Sequence, residues 1–583
     1  MPKQNWILRQ RKVDFDTLAQ ELSVSSLVVR LLCNRGMTTK DEMAYYLYGT
    51  MEQLHSPYLL ADAEKAMKLL VDKIKEKRRI RIIGDYDVDG VTATYIIKKS
   101  LLSLGAEVSA VIPDRMKDGY GLNERLIREA ARDGIDTLLT CDNGIAAYEE
   151  ITMAKQAGMT VIVTDHHEVP YSEDENGREE ILPPADAIVD PKRNGDAYPF
   201  REICGAFVAM KCMQILFDLA IEESLLSKEQ ADEVLLELTE FAAFGTVCDV
   251  MPLLDENRIL VRTGLALMEH SANLGLRSLM EVNGLMGGRI TNYHVGFVLG
   301  PCLNATGRLD TAHRGLELFE AKTTREAVNL AMDLKQMNES RKEMTERGTA
   351  EAVRQAEEWY GQDKVLVIYL TDCHESIAGI IAGKVREKFC KPCLVVTDAK
   401  EGLKGSGRSI EAYHMRDGLQ AASDLLTKFG GHKLAAGFSL PKENLELLRS
   451  RLNENCTLTQ EDFARQIVLD INLPIRYATM DFVEQLHALE PFGTGNERPL
   501  FGRNDLTIRQ IRVFGKNRNV AKFLVCSPDG CCMDGVYFGE ADRFAADLKE
   551  SKNGLLIAYY PDCNEYRGEK KVQLVVKYYQ IRE

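Results

Sequence analysis

Residues 78–91 read RRIRIIGDYDVDGV. Ile80, Ile82 and Ile83 form a short apolar run that predicts a buried strand. The run ends at Gly84, and Asp85, Asp87 and Asp89 follow at every second position. Gly90 closes the turn, and Val91–Leu104 continues with helical spacing. Three carboxylates this close repel one another, and burying them unpaired is costly. Hard oxygen ligands suit Mg²⁺ or Mn²⁺. An acidic surface turn is the plainer alternative. A calcium loop would need Glu at the twelfth position from Asp85, which is Ile96.

The chain has 583 residues, enough for several domains. Its apolar fraction of 45% supplies ample core, and 28% charged residues is ordinary for a soluble protein. There is no apolar run of membrane-spanning length, and the start MPKQNWILRQRK lacks a signal-peptide core, so a cytoplasmic protein is expected. Fourteen cysteines without a regular framework are then expected to be reduced. Cys390 and Cys393 form one CxxC, whereas a structural zinc normally takes two spaced pairs. The net charge of −15 argues against a surface coated for duplex binding, but it leaves room for a local basic channel.

Residues 1–50 predict short helices, and the pattern up to 50 also suits a helix-turn-helix, although without a basic recognition face. A helix over 61–75 leads into strand 79–83. Further strands are expected at 108–112, 137–140, 160–163 and 185–189, with helices at 91–104 and 146–157 and one capped by Asn123. This alternation predicts a doubly wound α/β sheet. In such sheets ligands sit beyond the carboxyl ends of the strands. Asp87, Asp89, Arg115, Asp142, His166 and His167 all fall there. A loop is expected over 169–184 and helices over 204–245. Asp249 follows among apolar neighbours, where it can also be a helix cap. PCLNATGR (301–308) reads as a small-residue turn presenting Asn304 and Arg308.

A long helix is expected over 323–359, capped by Thr323 with Glu326 and open to interruption at Gly348. A second α/β lobe follows, with strands 365–369 and 393–397 around helix 376–389. GSGRS (405–409) and FGGHKLAAG (429–437) read as glycine turns whose N–H groups, with Arg408, suit phosphate. After LEPFG (489–493) five short strands, 506–514, 520–526, 532–538, 555–560 and 572–579, fit a small β-barrel. Its Arg509, Arg512, Lys516, Arg518 and Lys522, interleaved with Phe514, Phe523 and Tyr537, suit a single nucleic-acid strand. An ordinary solvated barrel face is the alternative.

In this order, DYDVDG, PDR…GYG, DNG, DHH, GTVCDVMPL and LNATGR resemble the DHH phosphoesterase family, and GSGRS with FGGHKLAAG resembles its DHH-associated domain. With LEPFGTGN and the barrel, the chain resembles the family's single-strand-specific exonuclease branch. The resemblance implies an N-terminal helical segment (1–50), a DHH parallel-sheet domain (51–322), a connecting helix (323–360), a DHH-associated domain (361–458) and an OB-like barrel (459–583). It implies metal ligands at Asp87, Asp89, Asp142, His166 and Asp249, with Asp142 bridging two Mn²⁺ or Mg²⁺ ions and Asp85 beside them. His167, Arg308 and Asn304 would face the reacting phosphate. Arg115, Ser406 and Arg408 would hold the 5′-terminal phosphate, Tyr120 would meet bases, and His432 would face the substrate. Many family members carry His four residues before the first Asp of the DxD pair; here Ile83 stands there, which implies a first metal site that is either weaker or leans on Asp85 or water.

The activity so implied is 5′→3′ release of mononucleotides from single-stranded DNA in repair and recombination. The expected partners are a single-strand-binding protein and a helicase, and the expected state is a monomer away from membranes. A phosphodiesterase of short oligoribonucleotides or cyclic dinucleotides is one alternative, and a catalytically silent single-strand binder is another.

Overall fold

A computed structural model describes residues 3–10, 14–114, 121–174, 177–550, 555–566 and 568–581. The chain divides into two compact units, Tyr48–Arg341 with Pro491–Glu497, and Met1–Leu47 with Lys342–Glu490 and Arg498–Glu583.

The first unit is built on five parallel strands in the order Val108–Val111, Ile80–Ile83, Thr137–Cys141, Thr160–Thr164, Ala187–Val189. Alternation along the strands sends Ile82, Leu139 and Ile162 into one core with the helices Val88–Ser103, Gly205–Glu222 and Lys228–Cys248. Ile83, Leu138, Val161 and Val163 enter a second core with Glu124–Arg132 and Tyr148–Gln156. Both faces are therefore covered, as parallel strands require. The order reverses at Ile80–Ile83, whose chain continues to one edge while Thr137–Cys141 pairs on its other side. The crevice at such a reversal is where open α/β sheets bind ligands.

Two local expectations change in this unit. Residues 301–308 are not a turn but lie within the helix Gly300–Leu309, where Pro301 stands in the first turn, directly after the helical residues Val295–Leu299. The expected loop at 169–184 contains the antiparallel pair Tyr171–Asp174 and Gly177–Glu180.

The division falls within the helix Thr324–Glu358, which is continuous over 35 residues. Gly348 does not interrupt it; the Cδ1 atom of Ile381 lies 2.5 Å from where its Cβ would be, so glycine permits close helix packing. In the second unit a mixed sheet runs Lys428–Gly431, Ala435–Leu440, Leu403–Arg408, Cys393–Asp398, Leu366–Tyr369. GSGRS is therefore not a glycine turn but part of the central strand Leu403–Arg408, where Phe438 packs over Gly405 and leaves no room for a side chain. Of the second glycine motif, only residues 432–434 form the turn between two strands.

The five C-terminal strands close into a barrel. Cys526 and Cys532 are paired opposite one another across two of its strands and form a disulfide, contrary to the expectation of reduced thiols throughout. The N-terminus adds a strand, Gln4–Leu8, parallel to Arg465–Leu469, that apolar periodicity did not announce. No helix among the described residues is long and apolar enough to cross a membrane.

Candidate metal centre

Asp85, Asp87 and Asp89 leave the end of Ile80–Ile83, and Asp142 leaves the end of the neighbouring Thr137–Cys141. Asp87 caps the next helix by accepting from the Gly90 N–H at 3.1 Å. Gly90 is required here, because a Cβ would sit 2.5 Å from the Asp85 backbone nitrogen. Asp142 has φ 60°, a left-handed conformation that Asp tolerates better than most residues.

Two helices close the site. Asp89 accepts from the Gly205 and Ala206 N–H groups at 2.6 and 2.9 Å, at the N-terminus of Gly205–Glu222. That positive helix end favours the carboxylate. Gly205 also makes room for Asp142, whose Cβ would lie 2.6 Å from any Cβ added there. Asp249 is the C-cap of Lys228–Cys248 and brings a further carboxylate to the group, 3.7 Å from His166 Nε2. Val250 follows with φ 59°, an outlier for a β-branched residue.

His166 Nε2 lies 3.0 Å from Asp142 Oδ1, 3.6 Å from Asp89 Oδ2 and 3.7 Å from Asp249 Oδ2. Ligand-capable atoms gather into overlapping groups: Asp89, His166 and Asp249; Asp85, Asp87 and Asp142; and Asp142, His166 and His167. Within each group they lie within 4.8 Å of one another. Asp142 is near His166 and also belongs to the Asp85–Asp87 group, so it joins the two halves. Ile83 is wholly buried among apolar side chains and contributes no ligand atom; Asp85 is the neighbouring residue in the acidic group.

Burial, followed by the charges of Asp89, Asp87, Asp85 and Asp249, holds the Asp142 carboxyl well above the usual range. Burial and Asp87 push Asp85 up to about 8. Burial, with Asp89 and Asp87, pushes Asp249 up to about 8. Asp87 is raised by burial and by Asp89. Burial holds His166 below its ordinary value, which keeps the imidazole neutral and able to ligate. Asp85 Oδ1 is buried and makes no hydrogen bond among the described residues. Mutually repelling buried carboxylates with an unsatisfied oxygen fit a hard divalent cation.

His167 differs. Its Nδ1 lies 2.7 Å from Asp165 Oδ1. Burial alone would lower its pKa, but the Asp165 hydrogen bond and charge raise it to about 9. Asp165 also accepts from the N–H groups of Ile145, His166 and His167. Burial would raise this carboxyl, but the His167 hydrogen bond and charge outweigh it and hold it low. Asp165 is visible in the DHH motif, but its orienting role rests on the 2.7 Å contact to His167, which residue type alone does not reveal.

Asn304 and Arg308 lie half-buried on Gly300–Leu309. This helix meets the acidic turn at Gly307, where a Cβ would be 2.7 Å from the Tyr86 carbonyl oxygen. Arg115 and Tyr120 lie outside the described residues. Ser406, Arg408 and His432 belong to the second unit. There Arg408 Nη1 donates to Ser406 Oγ at 3.2 Å, and both side chains lie over Gly379. His432 is exposed at the hairpin turn.

Family models match three segments: the DHH family N-terminal domain at 79–245, the DHHA1 domain at 362–457 and the RecJ OB domain at 469–578. The single-stranded-DNA-specific exonuclease RecJ of Bacillus subtilis is 33% identical over 580 residues, covering 99% of this chain and 70% of that protein. The Escherichia coli protein of the same name is 32% identical over 588 residues, covering 98% and 99%. The crystal structure of RecJ in complex with Mn²⁺ from Thermus thermophilus matches with TM-score 0.82 at 26% identity, over 100% of this chain and 80% of that one. A structure of exonuclease RecJ bound to manganese matches with TM-score 0.58 at 31% identity, over 69% and 98%.

Proposed function

This chain belongs to the RecJ family of single-stranded-DNA-specific exonucleases, and from that premise we propose how its own residues divide the work. It is a hydrolase of phosphodiester bonds in single-stranded DNA, with the DHH, DHHA1 and OB domains of that family. The observation that carries the assignment of roles is the acidic cluster joined through Asp142 at the sheet's reversal point.

Asp89, Asp142, His166 and Asp249 would hold one divalent ion, and Asp85, Asp87 and Asp142 a second. The mixed nitrogen and oxygen donors favour Mn²⁺, with Mg²⁺ also accepted. When bound, such a pair supplies Lewis-acid charge to the phosphoryl oxygens and acidifies a water for attack. His167, kept protonated by Asp165, donates to a non-bridging oxygen as negative charge develops. Arg308 and Asn304 bind the same phosphate from their helix. We assign His167 to phosphate, although it also neighbours Asp142, because Asp165 keeps its imidazole protonated and an imidazolium has no lone pair for a metal.

Direction would come from the 5′-phosphate. Arg408, aligned by Ser406, presents a guanidinium suited to a terminal phosphate; Arg115 would join it, with Tyr120 and His432 on the strand. Release then proceeds 5′→3′ as mononucleotides. We propose, beyond the activity itself, a single-strand-binding protein and a helicase as partners and a monomeric, cytoplasmic chain. Arg408→Ala is expected to lower the preference for 5′-phosphate over 5′-hydroxyl strands by about tenfold, the scale of one lost charge-assisted contact. Initial rates on the paired substrates measure this, and an unchanged ratio would remove Arg408 from the 5′ grip.

The raised carboxyls also set a pH dependence. Each binds a proton more tightly in the folded chain than in the unfolded one, so the metal-free fold loses stability as pH rises from about 4 to about 8. A divalent cation relieves that repulsion and must displace fewer protons at higher pH. The rise in Tm on adding Mn²⁺ is therefore expected to be larger at pH 8 than at pH 6. Differential scanning fluorimetry with and without EDTA reads it, and an equal or smaller rise at pH 8 would count against these ligands.

A further inference from the structure

The helical turn that packs against Val247 and Cys248, the two residues before Asp249, carries an aromatic surface that the roles above leave unused. Tyr293 and Phe297 stack on one another, with ring centroids 5.3 Å apart and planes 21° from parallel. They are nevertheless 63% and 66% exposed, so most of this aromatic surface faces solvent. Large exposed aromatics held in register are uncommon without a partner, whereas flat faces suit nucleobases.

The backbone beneath them is irregular. Val295–Leu299 is a π-helical turn, a form found mostly as single turns and often at functional sites. It is tied to the centre on both sides. A Cβ on Gly296 would lie 3.5 Å from Val247 Cγ1, and one on Gly300 would clash with Cys248 Sγ. Val247 and Cys248 immediately precede Asp249. The same turn runs directly into Gly300–Leu309, which carries Asn304 and Arg308.

The PFGTGNE segment (491–497) fastens this arrangement. It belongs to the first unit although its neighbours in sequence belong to the second. Asn292 Nδ2 donates to the Phe492 carbonyl at 2.8 Å, and Leu253 N–H donates to the Thr494 carbonyl at 2.8 Å. Buried Asn496 closes the loop by donating to the Pro491 carbonyl at 2.7 Å. Gly493 fits between Leu253 and Asn292, where a Cβ would come within 2.7 and 3.0 Å. One strap thus pins the residues after Asp249 and the start of the aromatic turn together.

We propose that Tyr293 and Phe297 form a stacking platform for nucleobases of the single strand held at the metal centre. This rests on the exonuclease reading above for the identity of the strand. Stacking is indifferent to base identity, because every base has a π-face, so the platform would add affinity without sequence preference. It would bind ground and transition states alike and so act on KM rather than kcat.

The test uses the full chain and 5′-phosphorylated, 3′-fluorescein single strands in which one nucleotide at a time is abasic. Cleavage is followed in Mn²⁺, and binding by anisotropy with Ca²⁺ in its place. In the wild type, an abasic site at one position should raise KM and Kd about tenfold. Phe297→Ala or Tyr293→Ala should raise both about tenfold on the intact strand, with kcat changed by no more than about twofold. In those variants the same abasic site should add no further penalty, and Phe297→Trp should restore affinity where Phe297→Leu does not. Penalties that remain additive at every position, or full function with Phe297→Leu, would overturn the platform; the latter would mark an apolar protein-docking surface instead. A wild type that binds but never cleaves would overturn the exonuclease reading, while the Kd values would still decide the platform.

Discussion

Asp142→Asn should abolish nuclease activity, lowering turnover by on the order of 10³-fold or more, the several kcal/mol expected when a shared ligand is lost from a two-metal site. The reason is positional. Asp142 belongs to the Asp85–Asp87 group and lies within 3.0 Å of His166, so one substitution weakens both halves. Asn keeps the shape and tolerates the φ of 60° at this residue, so the fold should survive. The same change removes a carboxyl held well above its usual range by burial and four neighbouring charges. The metal-free variant should therefore melt no lower than the wild type, and it should melt higher at pH 8. Calorimetric titration with Mn²⁺ should show both binding events weakened. Full activity with two intact binding events would remove Asp142 from the bridging role.

His167→Ala should have the next largest effect, about 10²–10³-fold in kcat, the usual consequence of deleting one donor to developing phosphoryl charge. Mn²⁺ binding should change little, because Asp165 holds His167 protonated and without a lone pair to ligate. Asp165→Asn should act in the same direction through the ring it orients. It should also move the basic limb of the kcat profile below pH 9, since the Asp165 hydrogen bond and charge hold His167 up at about 9 against the effect of burial. The sign follows directly: with its carboxylate partner gone, the imidazolium gives up its proton at lower pH. Wild-type kcat with lost metal affinity would instead make His167 a ligand.

Much of the fold was legible because the chemistry was local. DYDVDG and the strand before it announced a sheet end, and apolar runs located the other four strands of that sheet, two strands of the second sheet and the five of the barrel. The errors came where tertiary contact overrode local preference. GSGRS looks like a turn, but a strand accepts its glycines because Phe438 covers Gly405 and helix Glu375–Phe389 crosses above Ser406 and Arg408. PCLNATGR looks like a turn because of Pro and Gly, but Pro301 is accommodated next to the π-helical turn 295–299 and Gly307 lets that helix touch Tyr86. Gln4–Leu8 becomes a strand only by pairing with residues more than 450 positions away.

At the site, the acids and the paired histidines were visible as residue types at strand ends. The Gly205 and Ala206 N–H groups that hold Asp89 were not, because backbone donors leave no mark in composition. Nor did the sequence single out Tyr293 and Phe297, whose importance depends on a π-helical turn and on a strap from residues 491–497.

The most direct measurement is Mn²⁺-dependent digestion of a 5′-phosphorylated single strand of DNA, labelled in turn at each end, beside its duplex. The account predicts mononucleotides released from the 5′ end of the single strand, an intact duplex, and loss of both label signals' change on adding EDTA. Tight single-strand binding without cleavage, or digestion from the 3′ end, would contradict it.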